Sequence, residues 1–179
     1  MRTRIIASAA ALFIGGAGVL TLAVPASAAT ASDTPVTVEV AGGGLSISAP
    51  TGSVDLGSVA ASTNTQVVSS SIGTIRVTDT RAGTAGWAAT VGATDFTGPQ
   101  SISVSAAGSV TYTPGQATTT GTVNVTPTTE DHLYPTGPVQ TATGVSGSNT
   151  AAWSPVIAVT IPANALVGTY STTITHSVS

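Results

Sequence analysis

The chain is predicted to be all-β: an immunoglobulin-like antiparallel β-sandwich following a cleaved signal peptide. Three observations predict it. Apolar and polar residues alternate in short runs along most of the chain, and Gly- and Pro-rich turns separate the runs. Past residue 28 no segment carries a sustained helical stripe, and Ala60–Thr63 has room for one helical turn at most.

In chain order, Arg2 and Arg4 open a basic start, and an apolar run extends from Ile5 to Val24. Pro25 and Ala26-Ser27-Ala28 then supply the small-x-small pattern of a peptidase site, so residues 1–28 read as a secretory signal peptide. Residues 29–34 are expected to form a flexible N-terminus, and residues 35–179 a single domain. The alternating runs are Val36/Val38/Val40, Leu45/Ile47, Val54/Leu56, Ile75/Val77, Trp87/Ala89/Val91, Ile102/Val104, Val110/Tyr112, Val123/Val125, Ile157/Val159/Ile161 and Tyr170 to Val178. Each places one face on a core and the other in water. Residues 127–152 break the rhythm and read as one long loop, which carries the acidic cluster Glu130-Asp131.

Composition excludes several functions. Once the leader is removed, two cations, Arg76 and Arg81, face seven acids, a formal −5, and the chain has no lysine. Such a chain cannot neutralise a row of phosphates, so nucleic acid and anionic membrane are poor partners. The absence of cysteine removes disulfides, zinc-thiolate sites and thiol nucleophiles. The segment Thr175–Ser179 holds no apolar span or sorting motif, and the mature chain is not expected to span a membrane.

Catalytic residues are not predicted. His132 lies in the expected loop, and His176 shares a strand face with Ile174 and Val178, where a structural role is the simpler one. No Gly-x-Ser-x-Gly elbow or His-Glu-x-x-His motif occurs. No cofactor is predicted. Calcium, which needs only oxygen ligands, leaves Asp79, Asp95, Glu130 and Asp131 as weak candidates. Asp79 and Arg81 continue the apolar face of Ile75 and Val77, so the carboxylate there must be paired; a structural clasp is expected. Trp87, beside small Ala89, is expected in the core. Leu133, Tyr134 and Trp153, in or beside the long loop, are the expected binding anchors, since aromatic side chains dominate interface energies.

Ile75-Arg76-Val77-Thr78-Asp79-Thr80-Arg81, then Gly86-Trp87-Ala88-Ala89, and far downstream Trp153 and the closing strand to Ser179, together resemble the WxL surface-domain family of Gram-positive bacteria. In that family a Val-x-Asp-x-Arg … Gly-Trp-x-Leu stretch precedes a distal Trp-x-Leu. Here Ala88-Ala89 follows Trp87, and His176 occupies the place of the distal motif, which makes this a divergent, actinobacterial-type form. Asp79, Arg81 and Trp87 carry over by identity and His176 by place. The resemblance implies a secreted or wall-associated, non-enzymatic protein bound non-covalently to peptidoglycan or a companion surface protein. Two other readings stay open: a structural subunit assembled through edge strands, and a carbohydrate-binding module.

Overall fold

The computed structural model describes residues 34–99, 103–133 and 137–179. The expected signal peptide, Ile102 and Tyr134 lie outside the described residues. Glu39–Ser179 form one compact unit, four residues shorter at its start than the domain expected from the sequence.

The strands in order are β1 (Leu45–Ser48), β2 (Gln66–Ser71), β3 (Ile75–Asp79), β4 (Trp87–Ala93), β5 (Phe96–Thr97) and β6 (Ser103–Val104). After one helical turn, α1 (Ala106–Ser109), come β7 (Val110–Thr113), β8 (Thr118–Pro127), β9 (Gly137–Trp153), β10 (Val156–Ile161) and β11 (Ile174–Val178). Every pairing between them is antiparallel. The all-β sandwich is therefore present, built from a six-stranded sheet, a three-stranded sheet in the order β2-β10-β7, and the small β5–β6 pair.

The larger sheet is organised by β9, which is 17 residues long. One edge of β9 pairs with β8, from Thr118↔Ala152 to Pro127↔Gln140. The other edge is shared. Residues 137–142 pair with β4, while residues 149–153 pair with β3. β1 extends the sheet beyond β3, and β11 extends it beyond β4.

This strand corrects the sequence reading of 127–152 as a long loop. The period-two pattern fails there because the strand is bulged. Gly144 and Gly147 have φ of 61° and 75°, values a side chain rarely adopts, and the β8–β9 register shifts twice nearby. Each extra residue moves the buried positions out of phase, so Ala142, Val145, Asn149, Ala151 and Trp153 all face inward without even spacing. Only 128–136 connects the two strands. Even this segment is tied down: Glu130 bridges Tyr112 on the outer edge of β7, and Ala93 N–H donates to Leu133 O at 3.0 Å.

Other expected runs differ too. Val36, Val38 and Val40 belong to no strand, and Val54/Leu56 forms none, although Leu56 packs against the core. The last run is a strand only from Ile174, with Ser171 making a single bridge to Thr97.

Two apolar clusters form the core, the first between the sheets and the second within the larger sheet. In one, Val91, Ala93 and Val139 of the larger sheet meet Val110, Tyr112, Ile157 and Val159 of the smaller. In the other, Ile75, Val77, Trp87, Ala89, Val125 and Trp153 pack around the bend of β9. With no disulfide available, this burial and the strand ladders carry the stability.

Candidate functional site

The motif residues converge where β9 bends and the sheet divides between β3 and β4. Asp79 ends β3 and is 2 % exposed. Its carboxylate is fully occupied. Oδ1 accepts the Arg81 backbone N–H at 3.0 Å and Arg81 Nε at 2.9 Å, and Oδ2 accepts Arg81 Nη2 at 2.9 Å and Asn149 Nδ2 at 3.3 Å. Bonding to the Arg81 side chain is the main cause that holds the Asp79 carboxyl below the usual carboxylate range, against the opposing effect of burial.

From Arg81 the circuit continues into the turn that leads to β4. Nη2 also donates to Ala85 O at 3.2 Å and Gly86 O at 3.1 Å, which fixes the backbone just before Trp87. Gly86 has to be small, because a Cβ there would strike Ala142 O of β9. Trp87, 3 % exposed, closes the ring by donating Nε1–H to Asn149 Oδ1 at 3.1 Å. The expected clasp is present, and it joins three strands. Asn149 is the member that sequence reading missed. It sits in the polar run Ser146–Thr150, where no spacing marks it as buried.

A second polar chain crosses between the sheets. Trp153 Nε1–H donates to Tyr112 Oη at 3.1 Å, and Tyr112 Oη lies 3.1 Å from His176 Nε2. The indole can only donate, so Tyr112 Oη accepts from Trp153, and the bond between Oη and His176 Nε2 runs in the direction that the imidazole tautomer sets. Burial lowers His176 to about 4 and raises Tyr112 to about 12. His176 lies half-buried on β11, its ring 5.7 Å from that of Tyr112.

Of the three expected binding anchors the structure corrects two, Leu133 and Trp153, while Tyr134 lies outside the described residues. Leu133 is 0 % exposed and belongs to the main core cluster, because the connection from β8 to β9 folds across the end of the sandwich. Trp153 is 2 % exposed, held by Tyr112 at the end of β9. With Trp87 also buried, neither indole offers an open face on which a sugar could stack.

The weak calcium candidates do not gather. Asp79 is committed to Arg81 and Asn149, Asp95 and Asp131 are exposed, and the Glu130 carboxylate lies against Gly137. Among the described residues no three His, Asp or Glu side chains come together as a metal site. A surface cleft of about 380 Å³ opens between the β7–β8 and β9–β10 turns, lined by Thr74, Gly115, Gln116, Thr118, Trp153 and Ser154 among others. Its lining mixes hydroxyl and amide groups with Pro114, Ala152 and Trp153 and includes no ionisable side chain.

Fold and clasp together define an all-β antiparallel sandwich braced around a buried carboxylate. Compared with models of protein families, with curated proteins and with solved structures, the chain matches none.

Proposed function

We propose that this protein is an exported, non-enzymatic β-sandwich held non-covalently at the cell envelope, on peptidoglycan or on a companion surface protein. The observation that supports this best is the closed circuit of Asp79, Arg81 and Trp87 with Asn149. Three residues in common with the resembled WxL surface domains are all spent on bracing the fold, and none presents reactive chemistry to solvent. The leader at residues 1–28 supports export. With Leu133 and Trp153 in the core, contact with the envelope falls to Tyr134, to strand edges and to the hydroxyl-rich strand faces.

Cell fractionation tests the proposal. The protein is expected in the wall fraction, and the purified chain is expected to rebind isolated walls. A protein found wholly in the medium, with no affinity for walls, overturns it.

One observation favours a second reading, a structural subunit that assembles through its edges. Among the described residues the outer edge of β8 has no strand beside it, and its ten residues include no charge. Natural edges are often blunted by charge, and β8 has none; what protects it is the pair of bulges, the terminal Pro127 and the Gln116 amide that donates to Val125 O at 3.2 Å. Sedimentation at increasing concentration decides this reading: a monomer throughout ends it.

A further inference from the structure

The segment Thr34–Val40 has the pattern of a β-strand without a sheet. Val36, Val38 and Val40 are two residues apart, and Thr37 and Glu39 alternate with them. No strand includes them, and the three valines are 87 %, 91 % and 81 % exposed. β-branched residues in strict alternation favour an extended, half-buried state, so three exposed valines mark a strand in want of an edge.

The root of this arm is fixed. Gly43 N–H donates to Thr80 O at 2.6 Å, and Thr80 N–H donates to Gly44 O at 2.9 Å. A Cβ on Gly42 would lie 2.6 Å from Arg81 O, so the glycines let the chain lie flat on the end of β3 beside the clasp. The arm therefore leaves from a braced corner of the domain.

The sandwich also offers a matching edge. Glu130 covers the outer edge of β7, and β1 and β11 lie beside each other. That leaves β2, β8 and the two-residue β6 without a strand on their outer edges among the described residues, with Val125 O of β8 taken by the Gln116 amide at 3.2 Å. β2 is six residues long and turns Val67 outward, 61 % exposed. β8 is ten residues long, and Val123, Val125 and Pro127 sit two apart on its inward side, where the valines join the cluster around Trp87. An arm of seven residues extends about 23 Å, within the length of β8.

We infer that Thr34–Val40 is a donor strand that pairs with the outer edge of β8 in a second copy of this chain. Backbone hydrogen bonds along β8 supply affinity, and the three valines extend the row of Val123 and Val125. Donor and acceptor are different surfaces, so the contact is head-to-tail and builds rings or open chains rather than a closed pair. This inference rests on the edge-assembly reading above and names its partner.

The experiment uses the exported chain and two variants in sedimentation velocity over a roughly 100-fold range of concentration. One variant carries Val36→Ser, Val38→Ser and Val40→Ser, which leave the body intact because these side chains are exposed. The other carries Thr122→Lys and Thr126→Lys on β8, both exposed positions. The unaltered chain is expected to form species larger than a monomer. Each variant alone is expected to lose them, and an equimolar mixture is expected to give a dimer and nothing larger, since one variant keeps the arm and the other keeps the edge. Loss of association in every sample, the unaltered chain included, overturns both the donor strand and the edge-assembly reading. Association that persists in the triple-serine variant, or a mixture that stays monomeric, overturns the donor strand alone.

Discussion

Asn149 is the residue on which the clasp turns, because it serves two buried partners at once. Its Oδ1 takes the Trp87 N–H and its Nδ2 reaches the Asp79 carboxylate. Asn149→Ala leaves both groups short of a bond and is expected to cost about 1–3 kcal/mol, read as a lower urea midpoint. A variant as stable as the parent would show the circuit to be ornamental. His176 gives a second test at this scale, through pH. Its folded value, about 4, lies below the ordinary 6.5, so between those values the unfolded chain binds the proton and the folded chain does not. Stability is then fully present above pH 6.5 and falls as the pH drops toward 4, by at most about 1.4 kcal/mol per pH unit, less what solvent screening of the half-buried ring removes. Asp79 acts in the same direction but in a separate window, below the usual carboxylate value, where its charge and its bonds to Arg81 are lost. Thermal melts from pH 7.5 to 4.5, with His176→Gln expected to flatten the slope, separate the two.

At the scale of elements, the short segment between β8 and β9 is a structural strap. Leu133 fills the main cluster, and its carbonyl accepts from Ala93. Leu133→Ala is expected to destabilise the fold by about 2–5 kcal/mol, as deletion of a buried leucine does; a surface contact residue would change chemical stability hardly at all. Chemical denaturation of the variant distinguishes the two. The same stretch shows why some elements were legible in the sequence and others were not. β3, β4, β7 and β10 keep strict alternation, so Ile75/Val77, Trp87/Ala89/Val91, Val110/Tyr112 and Ile157/Val159 predict both strand and inward face. Asp79 and Arg81 could be paired from spacing alone, since a carboxylate at the inner end of an apolar face needs a partner. β9 could not, because its bulges at Gly144 and Gly147 break the period that identifies a strand. The valines at 36–40 mislead in the opposite sense: alternation records a capacity to pair, and the partner edge is not set by the local sequence.

For the molecule as a whole, charge governs how it can hold a surface. Beyond residue 28 the chain has two cations, and one of them, Arg81, is committed to Asp79, which leaves Arg76 donating to Thr150 Oγ1 at 3.4 Å. Against seven acids, this provides no basic patch for the anionic polymers of a wall. Attachment by charge would weaken steeply as salt shortens the screening length from about 10 Å at 0.1 M to about 3 Å at 1 M. Attachment by backbone edges and threonine hydroxyls has no such dependence, because hydrogen bonds act at contact and buried apolar groups are not weakened by salt. The purified chain is therefore expected to rebind isolated walls with less than about a two-fold change in retained protein across that range, and to be released by denaturant. Release by salt alone would mean that a cationic site absent from this chain does the holding, on a bridging ion or a basic companion protein. Rebinding to walls stripped of protein separates those two sources, since only the bridging ion would survive the stripping.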